Sequence, residues 1–466
     1  MDIAIVILVI GLLVFFGHVL TALFQRTKVP DVLVLMIVGI LLGPVFHVVS
    51  PRDFGAVGRV FATLALVVIL FEGGIHLNLR QLATAAGDTL TISLATAAVT
   101  LLLVAHLADF LLPLDFPTAL LVGVILSGTS SAVVVPLLRT LGLTGRAGTV
   151  LFLESALTDV LVIVLTLGLL QALPALYRGD AGGLGADLVW QIVRSFLWAA
   201  AVGAGGALFW SAVLERIRRF PNTVFTTLAY VFILYGLTEL AGYSGAIAAL
   251  TFGVSLANVP LLPRGLLRLV FRVRLTPFAE HERAFFGEVV FVVKTFFFVF
   301  LGVSTTFTDL RAVLAGLILA AAAFVARAPV VGLLGHRDLT RREAALMTAL
   351  VPKGLAAAVL AGLPAQLGVP GSGTIQGTVY SVIFFSILGC AVLVFMIERG
   401  MLAPFLARWY GKFPVEPPVA PTPAAPAGAD VPALATLSSA DLAGLQEPNP
   451  LTDLEDTGRP PEEDRP

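Results

Sequence analysis

The sequence predicts an all-α polytopic membrane protein of about thirteen transmembrane helices, arranged as inverted repeats with two broken crossing helices. Three observations predict it. The 466 residues are 58% hydrophobic and 13% charged, with mean hydropathy +0.97, whereas a soluble domain carries roughly 25% charged residues. Apolar stretches of about 20 residues, the length that crosses a bilayer, recur along the chain. Basic residues between those stretches alternate from loop to loop.

The first stretch, about residues 2 to 24, has no basic n-region and no small-residue cleavage site, and its apolar run is too long for a signal peptide. It reads as the first span. The others lie at about 31 to 50, 57 to 77, 88 to 112, 117 to 138, 147 to 175, 186 to 214, 222 to 240, 243 to 261, 286 to 305, 310 to 335, 343 to 364 and 374 to 407. Odd-numbered loops hold sixteen Lys and Arg residues, and even-numbered loops with the helix ends beside them hold five. Short cytoplasmic loops are enriched in Lys and Arg, so the N-terminus is expected outside and the C-terminus in the cytoplasm of a multi-pass cell (inner) membrane protein.

These spans define a membrane domain at residues 1–412, with repeat one at about 1–175, a linker helix at about 186–214 and repeat two at about 222–410. Residues 262–285 mix Leu, Val and Phe with five arginines, which fits either a helix lying on the anionic cytoplasmic leaflet or an ordinary basic loop. Residues 413–466 turn Pro- and Ala-rich and then acidic. They cannot bury a core and are expected to be a disordered cytoplasmic tail.

Composition also excludes function classes. A net charge of -1 offers no basic face to nucleic acid. The single cysteine, Cys390, lies in an apolar span and cannot close an intrachain disulfide. His18, His47 and His106 have no metal-site spacing, and no cofactor is implied.

Two spans are interrupted. Span five contains "SGTSSAVVVP", with Gly128 among the hydroxyls of Ser127, Thr129, Ser130 and Ser131, followed by Pro136. Span twelve contains "LVPKGLAAAV", with Pro352, Lys353 and Gly354 together. Pro removes a helix hydrogen bond and Gly weakens the helix, so both are expected to unwind there. Breaks at matching places in two halves of a transporter mark an ion or substrate site near the midplane; small residues also line ordinary helix contacts.

Span six then carries Glu154 and Asp159 in "FLESALTDVL". An ionised carboxylate in hydrocarbon costs several kcal/mol on insertion scales of roughly 2.5–3.5 per charge, so each acid is paired, hydrated or working. Five residues of helix are about 7.5 Å of rise and roughly 140° of rotation, so the two acids have different partners. Candidate cations are Lys294, Arg327 and Lys353. Glu154 reads as a fixed salt bridge and Asp159, beside Thr158, as an ion-binding carboxylate in which proton and cation exclude one another. Glu72, near the cytoplasmic end of span three, reads as solvated or capping.

These residues carry a family resemblance. "LESALTD" resembles the "GESLLND" element of NhaP-like monovalent cation:proton antiporters, and "KVPDVLVLMIVGILLGP", "LFEGGIHLNL", "SGAIAALTFGVSLAN", "VKTFFFVFLGVST", "VARAPVV" and "LVPKGLAAAVLA" resemble further elements of that superfamily in the same order, across about residues 1 to 410. The resemblance implies the antiporter fold, a homodimer, and exchange of Na⁺, or of Li⁺ or K⁺, for H⁺, without enzyme activity. It implies that Asp159 alternately holds a proton or the cation and that Thr158, Ser155, Thr129 and Ser130 help to form the ion site. It implies further that Glu154 bonds Arg327, and that Lys353 stands where many relatives have Arg. Three departures are visible: Thr129, Ser130 and Ser131 replace a "TDP" element and are closer to the "SSTA" form of the Kef-like branch, Thr158 replaces Asn or Asp, and Lys294 resembles the lysine of electrogenic relatives. A cation channel, an intramembrane serine hydrolase and a non-transporting membrane sensor are the rival readings; the hydrolase would need a base within reach of a serine, and no histidine lies in either interrupted span.

Overall fold

The computed structural model describes residues 8, 11–20, 30–51, 55–76, 79–80, 86–143, 145–177, 186–218, 224–261, 280–305 and 309–415. Residues 262–279 of the basic segment and residues 416–466 of the predicted tail lie outside the described residues.

All regular structure among the described residues is helical. The chain forms α1 (Gly11–Leu20), α2 (Asp31–Ile40, continued by a π-turn at Leu41–Val45), α3 (Gly55–His76), α4 (Ala86–Leu111), α5 (Phe116–Ile125), α6 (Ser131–Thr140), α7 (Gly145–Tyr177) and α8 (Ala186–Ile217). It continues with α9 (Val224–Leu240), α10 (Gly245–Asn258), α11 (Glu280–Ser304), α12 (Leu310–Leu334), α13 (Arg341–Ala349), α14 (Leu355–Leu360), α15 (Leu363–Gln366), α16 (Ser372–Glu398) and α17 (Ala403–Trp409). Within this set, stretches of α4, α7, α8, α11, α12 and α16 are each long and apolar enough to cross a bilayer unaided. Their outer faces carry bare apolar side chains such as Phe110, Leu197 and Val325, which lipid covers at no cost. The protein is a multi-pass membrane protein.

The helices sort into two packed groups. In one, α4, α5, α7, α12 and α16 pack together around α6, α13 and α14. In the other, α10 packs on α3 and α8, α9 on α10, and α11 on α2, with α1 held against α11 by the ring contact of His18 and Phe291, centroids 4.3 Å apart. The second group relies on close backbone approach: a methyl group on Gly253 would strike the Phe71 carbonyl and come within 3.2 Å of Gly74 Cα. Small residues permit such crossings, where lipid supplies no hydrophobic drive between helices. Between the groups, α14 meets α3, α16 meets α2 and α7 meets α8.

Both interruptions expected from the sequence are present. The helix that starts at Phe116 ends at Ile125 and resumes at Ser131, and the one that starts at Arg341 ends at Ala349 and resumes at Leu355. The second is started firmly by a capping box, with Thr340 and Glu343 reciprocally bonded. It stops where Val351 precedes Pro352, a position at which the helical conformation is disfavoured.

Candidate functional site

The two interruptions cross each other. The Ser130 amide donates to the Pro352 carbonyl at 2.8 Å, so one orphaned helix-end group in each segment satisfies the other. A methyl group on Gly354 would overlap the Ser130 side chain, which explains why glycine stands there. Ser130 thus serves the crossing itself.

The end of α5 is closed by Lys353. Its ammonium donates to the Gly128 carbonyl at 2.8 Å, just beyond the negative C-terminal end of α5. Lys353 is 1% exposed; its own amide donates to Ser386 Oγ on α16 at 2.9 Å. On the other side of the break, the Thr129 amide donates to Thr158 Oγ1 at 3.1 Å. Thr158 therefore ties α7 to the break as an acceptor. The Ser155 hydroxyl donates to the Phe152 carbonyl within its own helix at 2.9 Å.

Asp159 sits at the start of α6. The Ser131 hydroxyl donates to Asp159 Oδ2 at 2.7 Å. Ser131 is the first residue of α6, so Asp159 occupies the positive end of a half-helix, where a negative charge is favoured. Among the described residues Asp159 has no ion-pair partner within 4.0 Å. Nearby in sequence, Thr129 Oγ1 is a buried oxygen with no hydrogen-bond partner among the described residues. A half-buried carboxylate bonded to the Ser131 hydroxyl is suited to a small, hard cation, which takes oxygen ligands.

Glu154, on the same helix, is fully committed. Both of its carboxylate oxygens accept from Arg327 of α12, Nη1 to Oε1 and Nη2 to Oε2, the latter at 2.6 Å. Arg327 Nε donates to the Met347 carbonyl of α13 at 2.5 Å. Glu154 and Arg327 are 0% exposed, and two such charges are tolerated only as a bidentate, fully bonded pair. Lys353 lies within electrostatic reach of both.

The sequence expectations meet this geometry unevenly. Glu154, Arg327 and Lys353 come together. Lys294 does not join them, nor does it pair with Asp159: its ammonium lies 3.0 Å from Asp31 Oδ2. The reason is packing, since α11 lies along α2 and Asp31 opens α2. Ser130, expected in the ion site, turns its side chain to Gly354, and the serine on Asp159 is Ser131. Asp31, Ser131 and Ser386 were the residues that sequence reasoning left out of the site. Only Ser131 had a signal, its place in the hydroxyl run.

Comparisons with known proteins point the same way. The family described as "Sodium/hydrogen exchanger, transmembrane" matches residues 11–398. A K⁺/H⁺ antiporter NhaP2 of Shewanella baltica is 24% identical over 419 residues, covering 88% of this chain and 67% of that protein. A K⁺/H⁺ antiporter NhaP of Alkalimonas amylolytica is 26% identical over 262 residues, 55% of this chain and 44% of that protein. The structure of the sodium proton antiporter MjNhaP1 from Methanocaldococcus jannaschii superposes with a TM-score of 0.67 at 21% identity, covering 88% of this chain and 99% of that one. With most of its membrane region matched, the chain belongs to the sodium/hydrogen exchanger family.

Proposed function

We propose that the chain exchanges a small monovalent cation for H⁺ across the cell membrane by alternating access, with Asp159 holding cation and proton in turn. The observation that carries this is the state of Asp159. Of the two acids on α7, Glu154 is locked to Arg327 while, among the described residues, Asp159 accepts a side-chain hydrogen bond only from Ser131 and has no cation beside it. A carboxylate held by one residue and matched by no cation can titrate, and can exchange its proton for a metal ion.

The steps follow from the residues. Asp159, open to one side, loses its proton and binds the cation, with the Thr129 hydroxyl and carbonyls of the α5–α6 break as further oxygen ligands. The group of helices containing α4–α7, α12–α14 and α16 then moves against the other group and turns the site to the opposite face. Cation release there lets Asp159 take a proton and return. Lys353 holds the Gly128 carbonyl throughout, and Thr158 holds the Thr129 amide, so the break keeps its shape while the cargo changes. One exchanging carboxylate gives 1:1, electroneutral exchange.

Na⁺ is the cation of the first reading, with Li⁺ and K⁺ as alternatives. The K⁺ reading draws on the two bacterial relatives, each a K⁺/H⁺ antiporter. The proposal includes thirteen spans in two inverted repeats, an external N-terminus, a homodimer formed through the second helix group, and a cytoplasmic tail that starts a few residues later than the sequence suggests, since Phe413 is 1% exposed and its carbonyl accepts from Arg341.

The test uses purified protein in liposomes with an imposed pH gradient and an internal pH dye. Na⁺, Li⁺, K⁺ or choline is added in turn to wild type and to Asp159→Asn. A cation-evoked pH change lost in the variant is the expected result and names the ion. A response unaltered by Asp159→Asn, or none to any cation, overturns the reading.

A further inference from the structure

The residues after α16 return to the core. α17 is followed by a short strap, Tyr410–Pro414, whose two rings are almost fully covered: Tyr410 is 2% exposed and Phe413 is 1% exposed. Both rings face the C-terminal end of α12. The Tyr410 ring lies 3.9 Å from the position a methyl group would take on Gly332, and the Phe413 ring 3.1 Å from that position on Gly335.

The strap is also bonded to α13 along its length. The Arg341 amide donates to the Pro414 carbonyl at 2.9 Å and Arg341 Nε to the Phe413 carbonyl at 2.9 Å. The Tyr410 hydroxyl and Thr348 Oγ1 are 2.5 Å apart. Thr348 is the neighbour of Met347, whose carbonyl holds Arg327 Nε. Next to the strap, Arg342 joins α13 to the ends of two other core helices, through Glu398 of α16 at 2.8 Å and the Leu141 carbonyl beyond α6 at 3.3 Å.

We infer that Tyr410–Pro414 is a brace that fixes α12 and α13 against each other, and that Tyr410 is a positioning residue for the exchange site, acting through Thr348 and the Met347 carbonyl on Arg327 and Glu154. Its role in exchange rests on the function proposed above. The chain of contacts is short and each link is directional. Arg327 needs the Met347 carbonyl in register to present both amino groups to Glu154. The last turn of α13, which carries that carbonyl, adjoins the interruption and lacks the continuing helix that would hold it. Tyr410 supplies the hold from outside the helix. Since Glu154 and Asp159 share α7, a shift of Arg327 displaces the carrier carboxylate as well.

The experiment compares full-length wild type, Tyr410→Phe, Thr348→Val and the double variant, with two readouts. The first is apparent KM for the transported cation and the pH profile of exchange in liposomes. Loss of one buried hydroxyl–hydroxyl bond is expected to change KM by roughly fivefold, with the pH profile displaced. The double variant is expected to match Thr348→Val, which already removes this bond together with the bond from Thr348 Oγ1 to the Ala344 carbonyl. A merely structural strap would lower the yield of folded protein and leave KM and pH profile per molecule unchanged, which overturns the inference. The second readout is amide hydrogen exchange over residues 341–350, which needs no transport. Faster exchange in Tyr410→Phe than in wild type supports the brace, and unchanged protection overturns it. Failure of wild type to exchange any cation would sink the proposed function, and hydrogen exchange would then decide the brace alone.

Discussion

Ser130 and Gly354 touch where the two interrupted helices pass each other, with the Ser130 amide on the Pro352 carbonyl at 2.8 Å and no room for a methyl group between the residues. The contact makes the two breaks a single structure. Each interruption leaves backbone groups that hydrocarbon cannot satisfy, and each provides part of what the other lacks. Lys353 and Thr158 complete the set from α13–α14 and α7.

Gly354→Ala is therefore expected to force the crossing apart. Overpacking costs about 1–3 kcal/mol, so the melting temperature in detergent should fall and exchange should be lost. Gly377→Ala is the control, because nothing lies within 4 Å of the added methyl group on that helix. Equal melting temperatures for the two variants would refute the close crossing.

The Glu154–Arg327 pair makes a different prediction, about stability more than transport. Glu154→Leu leaves Arg327 charged, 0% exposed and without its acid, at a cost of about 3–5 kcal/mol. Replacing both, Glu154→Leu with Arg327→Met, removes the stranded charge. The double variant should melt well above either single, though below wild type, because the Met347 carbonyl loses a donor worth about 1 kcal/mol. Thermal unfolding of the three variants measures this, and a double variant no more stable than the singles would show that the pair is not the dominant burial problem.

The sequence made much of this legible, because membrane burial leaves few polar residues to interpret. The two interruptions could be read from Pro352, Gly354 and the Gly128 hydroxyl cluster, since proline and glycine act locally. That each buried charge needs an opposite one was legible, but the match of Glu154 to Arg327 comes from the family resemblance, since charge balance alone leaves three candidate cations. Lys294 could not be placed the same way: three cations and two acids admit several pairings, and its choice of Asp31 depends on how α2 and α11 pack. Nor could Ser130 be told from Ser131. Adjacent residues at a helix start point in different directions, and only the crossing decides which faces Asp159 and which faces Gly354.

Because Lys294 is paired with Asp31 at 3.0 Å, it is not the partner that would couple a second proton to Asp159. Exchange is expected to be electroneutral. With the membrane potential set by K⁺ and valinomycin in liposomes, and Na⁺ or Li⁺ as the transported ion, initial rates should not vary with voltage in wild type or in Lys294→Gln. A voltage-dependent rate that disappears in Lys294→Gln would mean that Lys294 leaves Asp31 during the cycle and carries charge.

The final prediction concerns competition on Asp159. If proton and cation exclude each other on one carboxylate, lowering pH fills more of the sites with protons and raises the apparent KM for the cation. In the acidic limb the rise approaches tenfold per pH unit, and saturating cation restores the rate. The Ser131 hydroxyl donates to this carboxylate. Ser131→Ala removes the hydroxyl, a hydrogen bond to a charged group worth about 1.5 kcal/mol, and leaves the amide at the start of α6. The carboxylate then holds its proton more tightly, so the acidic limb should move to higher pH, by about one unit for that energy. Initial rates measured at several cation concentrations, with equal pH on both sides, give KM at each pH. A KM independent of pH would mean that proton and cation do not share Asp159. A normal pH dependence left unmoved by Ser131→Ala would keep the shared site and remove Ser131 from it.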